Sequence, residues 1–104
     1  MGYLLNGLKS ASAMVRSTHS TAYASLLGAI VAARKSAGLR QVELALRLGK
    51  PQSYVSKVEN GERRIDPVEY LEIMRAIGVS GSKTLAEIEA EMFGDYKFDR
   101  LPPT

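Results

Sequence analysis

Four polar side chains, Gln52, Ser53, Ser56 and Lys57, fall within six residues that contain no acid. Glutamine can bond adenine in bidentate fashion, lysine favours guanine and serine is permissive, so these types on one helix face suit the edge of a base pair in a major groove; the alternative is a solvated face. Catalysis has far less to work with. The chain has no Cys, which removes disulfides, thiolate metal sites and a cysteine nucleophile. Its single imidazole, His19, stands among Ser and Thr and is read as solvated. Nothing assembles a base, a nucleophile and an oxyanion site, so no enzyme, catalytic residue, metal ligand or cofactor is expected.

The charge distribution points to the same region. The net charge is +3 over 104 residues. Residues 34–64 carry eight Lys or Arg against three Glu, giving +5, whereas residues 65–104 carry four cations against eight acids, giving −4. A basic middle beside an acidic end suits a polyanion on one side and a different neighbour on the other.

Helices must position these groups. Tyr23, Leu26, Leu27, Ile30 and Val31 recur at spacings of three and four, which predicts a first helix stopped by Gly38. Gln41–Leu48 forms a second, with Leu44, Ala45 and Leu48 inward and Gly49 after it. A third runs from Pro51, expected at the first helical position, to about Glu59, with Val55 and Val58 inward and Asn60-Gly61 as its turn. Asp66-Pro67-Val68-Glu69 predicts a capping box for a helix carrying Val68, Leu71, Ile73, Met74 and Ile77. Thr84 to Glu87 repeats that pattern and predicts the start of a last helix with Leu85, Ile88 and Met92 on one stripe. No segment alternates long enough for a strand. The expectation is an all-α, five-helix domain in which a short turn at Gly49-Lys50 makes the third helix project one face away from the core.

Residues 34–78 resemble the lambda-repressor-like helix-turn-helix family, also called the Cro/repressor or Xre type. The resemblance rests on Arg34, Gly38-Leu39, Gln41, Glu43-Leu44-Ala45, Leu48-Gly49, Val55-Ser56, Glu59, Gly61, Arg63 and the closing Ile77-Gly78. With the preceding helix it covers roughly 55 to 60 residues. It implies binding of duplex DNA, commonly as a homodimer, with Gln52, Ser53, Ser56 and Lys57 toward base edges. It also implies a phosphate contact for Gln41, backbone positioning by Tyr54, Asn60, Arg63 and Arg64, and an internal ion pair between Arg34 and Glu59. The duller reading of Tyr54 is a cover for the core edge, and that of Gln41 a helix-start residue.

Two positions depart from the family pattern. Arg40 and Lys50 stand where small hydroxyl caps are usual, exchanging a cap acceptor for positive charge that can reach the DNA backbone. Outside the helix-turn-helix domain, placed at residues 22–94, residues 1–21 are read as a flexible arm and 95–104 as a tail. Lys9 follows Leu4, Leu5 and Leu8 rather than preceding them, unlike a signal peptide, and no apolar run spans a membrane. The expected protein is a cytoplasmic, dimeric transcriptional repressor. The alternative is a protein-binding module, such as the antitoxin of a toxin–antitoxin pair or a bridging coactivator, with the C-terminal segment holding the partner.

Overall fold

Three of the five described helices begin at a side chain that accepts one of their free backbone N–H groups, those of Ser20, Asp66 and Ser80. The computed structural model describes residues 20–94. Five helices occur in it: α1 Thr21–Ser36, α2 Gln41–Leu48, α3 Gln52–Glu59, α4 Pro67–Ile77 and α5 Gly81–Phe93. No strand occurs among the described residues, so the fold is all-α as expected. Residues 1–19, which include His19 and most of the arm, and residues 95–104 lie outside the described residues.

Ser20 starts α1, its Oγ accepting the Tyr23 N–H at 3.0 Å. The helix therefore begins two residues before the first apolar position, and Thr21, counted with the arm from sequence, is its first residue. Arg40 offers α2 no side-chain acceptor. Glu43 provides a partial substitute: its Oε1 accepts the Arg40 N–H at 2.7 Å and its Oε2 pairs with Arg40 Nη2 at 3.2 Å. Gly49 ends α2 in the left-handed region, at φ 67° and ψ 32°, where a side chain would be strained. Pro51 precedes α3 in an extended conformation, at ψ 155°, and so caps the helix rather than opening it.

The Asp66 box forms as expected, with Asp66 Oδ1 accepting the Glu69 N–H at 2.7 Å and Glu69 Oε1 accepting the Asp66 N–H at 3.0 Å. The inward stripe of α4 is Tyr70, Ile73, Met74 and Ile77, whereas Val68 and Leu71 are 63% and 53% exposed. Positions 70, 73, 74 and 77 share one helical face, and 68 and 71 fall beside it. The second expected box is not a helix start. Ser80 Oγ already accepts the Lys83 N–H at 3.2 Å, so α5 begins at Gly81 and Thr84 lies inside it. Gly81 packs closely there: a Cβ would come within 2.9 Å of Leu71 Cδ2 and 3.0 Å of Tyr70 Cε2, so those side chains would have to shift. Tyr70 locks the corner by donating its hydroxyl to the Gly81 carbonyl at 2.7 Å.

Ile30, Leu44, Ala45, Val55, Val58, Tyr70, Ile73, Met74 and Ile77 form one core joining α1 to α4. Of the expected α5 stripe only Ile88 is buried; Leu85 and Met92 are 45% and 55% exposed. Among the described residues no helix is long and apolar enough to cross a membrane.

Candidate nucleic-acid interface

The short linkage Gly49-Lys50-Pro51 brings the first residues of α2 and α3 side by side. Gln52 Nε2 donates to Gln41 Oε1 at 3.2 Å, and Gln41 Nε2 donates to Glu59 Oε1 at 2.8 Å. Beneath them Arg34 holds the same carboxylate through Nε at 2.6 Å and Nη2 at 3.0 Å, while its Nη1 donates to the Leu39 carbonyl at 2.8 Å. The Arg34 and Glu59 side chains are both more than nine-tenths buried. Four side chains thus form one chain of hydrogen bonds from α1 through the last turn of α3 to the two helix starts. No buried side-chain polar atom is left without a partner among the described residues.

The direction of these bonds is fixed by chemistry. An ionised carboxylate can only accept, so Gln41 must turn its amide nitrogen toward Glu59 and its oxygen toward Gln52. Gln52 then uses one N–H on Gln41 and keeps its oxygen and second N–H for a ligand. Along the rest of the outer face Ser53 and Lys57 are exposed and Ser56 is half-buried.

The residues expected at the DNA backbone sit in different settings. Arg40 and Lys50 are exposed at the starts of the two helices. Tyr54 is half-buried on the flank of α3, with Lys50 Nζ 5.1 Å and Arg63 Cζ 5.0 Å from its ring centroid. Burial, more than any neighbouring charge, raises its hydroxyl pKa. Asn60 closes a small turn on Glu62, accepting the Glu62 N–H at 3.1 Å and donating to its carboxylate at 3.0 Å. Arg63 pairs with Glu69, Nη2 to Oε2 at 2.8 Å, and Arg64 lies 4.1 Å over the ring of Tyr23 on α1.

Two residues to which the sequence assigned no part in the site organise this flank. Glu69 was legible only as a capping residue, yet Arg63 is the largest cause holding its carboxyl below the ordinary carboxylate range, ahead of the Asp66 N–H. Tyr23 was read as core, yet its hydroxyl accepts the Ile65 N–H at 3.2 Å and anchors the loop before α4. Its apolar spacing carried no sign of that bond.

A helix-turn-helix family model matches residues 30–83, just over half of the chain. Among solved structures, an XRE-family like protein from Pseudomonas syringae pv. tomato str. DC3000 is 47% identical, with a TM-score of 0.66 over 67% of this chain and 85% of that one. The clp gene regulator ClgR from C. glutamicum has the same fold at 23% identity, with a TM-score of 0.61 over 71% of this chain and 96% of that one. No curated protein sequence matches the chain. With the paired helix starts of α2 and α3 and the buried ion pair beneath them, these matches place the chain in the Xre, lambda-repressor-like family of helix-turn-helix DNA-binding transcription regulators.

Proposed function

We propose that the protein is a cytoplasmic repressor that binds an operator as a homodimer, each protomer laying α3 in the major groove. The observation that carries this reading is the Gln41–Gln52 bond. It leaves Gln52 presenting an acceptor beside a donor, the pattern complementary to the N6 amino group and N7 of adenine. Gln41, at the positive end of α2, meets a phosphate, and Arg40, Lys50, Asn60 and Arg64 lie where they can track the backbone. Ser53, Ser56 and Lys57 read neighbouring bases. Two-fold symmetry then sets half-sites about one helical turn, roughly 34 Å, apart.

Site selection from a random duplex pool tests it, with Gln52→Ala and Gln41→Ala beside the wild type. Gln52→Ala should relax the motif at one base pair in each half-site, at a cost of about 1–3 kcal/mol, while Gln41→Ala weakens all sequences alike. If each dimer neutralises about 6 to 10 phosphates, affinity should fall about three to five decades between about 50 and 200 mM salt. Salt-independent binding would reject the reading. A partner-binding module is the second reading, favoured by Leu85 and Met92 lying exposed on α5 beside Glu89. Well-folded protein that enriches no duplex motif would select it.

A further inference from the structure

Most of the hydrogen-bonding capacity of Arg63 is spent inside the protein. Its Nη1 donates to the Arg64 carbonyl at 2.8 Å and to Glu69 Oε1 at 3.2 Å, and its Nη2 donates to Glu69 Oε2 at 2.8 Å. A guanidinium has five N–H donors, so both on Nη1 and one on Nη2 are engaged. The Arg63 backbone N–H donates to the Lys57 carbonyl at 3.1 Å, fastening the loop to the last turn of α3. Glu69 also closes the α4 capping box on Asp66. One guanidinium therefore joins the Tyr54 ring on α3, the loop after it and the first turn of α4.

We infer that Arg63 is a positioning residue for DNA binding and not a phosphate contact, and that Lys50, over the same Tyr54 ring, is the cation of this flank that meets the backbone. The inference rests on the DNA-binding reading above. Arg63 keeps its Nε–H and one Nη2–H, but its charge is already compensated by Glu69, and a phosphate brought to it would also face that carboxylate. Lys50 has no carboxylate within ion-pair distance among the described residues, and the ring steadies it without cancelling its charge. A charge already neutralised within the protein releases few DNA counterions, whereas a free one contributes about 0.9 to the slope of log affinity against log salt.

The slope therefore separates the roles. Using a duplex selected by the wild type, titrations between about 50 and 200 mM salt would compare Lys50→Gln, Glu69→Gln and the double variant Arg63→Gln/Glu69→Gln. Lys50→Gln should flatten the slope by about 0.9 for each bound protomer. Glu69→Gln keeps an acceptor for the Asp66 N–H, so it loosens the Arg63 fork while sparing the cap. It should weaken binding about tenfold at every salt concentration, the effect of about 1.4 kcal/mol, with no steepening. The double variant removes one charge of each sign and should keep the wild-type slope. A double variant flattened by about 0.9 per protomer, or tighter and steeper binding by Glu69→Gln, would overturn the assignment of Arg63. An unchanged slope for Lys50→Gln would overturn the assignment of Lys50. Wild-type protein that binds no duplex in a salt-dependent way would reject the DNA-binding reading itself, an outcome distinct from all of these.

Discussion

At the scale of single residues, the Arg34–Glu59 pair is the most exacting element of the site. Both side chains are buried, Glu59 also accepts from Gln41 and Arg34 also donates to the Leu39 carbonyl, so removing one partner strands a charge. Arg34→Ala or Glu59→Ala should each lose roughly 3–5 kcal/mol in denaturant titrations, and the double substitution should cost less than the sum. Half-buried carboxylates at the helix starts give a pH signature. Glu69, held down chiefly by Arg63, and Glu43, held down chiefly by the Arg40 N–H, both have pKa values below the ordinary 4.5. A lowered folded-state value means that the stabilisation is complete above the unfolded value and is lost as pH falls through the folded one. The melting temperature should therefore decline between about pH 5 and pH 3, less steeply for Glu69→Gln and Glu43→Gln than for the wild type. Arg34 and Glu59 were legible in the sequence because they sit at fixed offsets within regular helices that match the family pattern. The Arg63–Glu69 pair was not, because it depends on the path of the irregular loop between α3 and α4.

At the scale of elements, helix ends carry the compromise between stability and charge. Arg40 leaves α2 without a side-chain acceptor, and Glu43 satisfies only the N–H of Arg40 itself. Arg40→Ser should supply the missing cap and stabilise the domain by about 1 kcal/mol, while weakening DNA binding and flattening its salt dependence if the guanidinium reaches a phosphate. Calorimetry paired with anisotropy titration would show whether stability and affinity move in opposite directions. Helix periodicity and glycine stops located all five helices, because three- and four-residue apolar spacing survives wherever a helix faces a core. Starts were harder. A capping-box pattern occurs at a true start, Asp66 to Glu69, and again inside a helix, Thr84 to Glu87, because Ser80 already caps α5 at the Lys83 N–H and Tyr70 holds the Gly81 carbonyl. The α4 stripe was displaced because Tyr70, with its polar end satisfied, fills space that Val68 and Leu71 were expected to occupy.

At the scale of the whole molecule, different elements carry different surfaces. The basic starts of α2 and α3 lie together, while Leu85, Met92, Glu87 and Glu89 on α5 are exposed. If binding is two-fold symmetric, sedimentation of a stoichiometric mixture should give two protomers per palindromic duplex, and an isolated half-site should bind far more weakly. A one-to-one complex of equal affinity on a half-site would exclude cooperative dimer binding. The hydrogen-bonded line running from Arg34 to Gln52 also limits how such a protein can diverge. Exchanging Gln52 for a side chain without a donor removes the N–H that satisfies Gln41, and changing Gln41 in turn disturbs the carboxylate that joins α1 to α3. New operator preferences are therefore reached most easily by paired substitutions on two helices, or through Ser53, Ser56 and Lys57, whose replacement leaves that line intact.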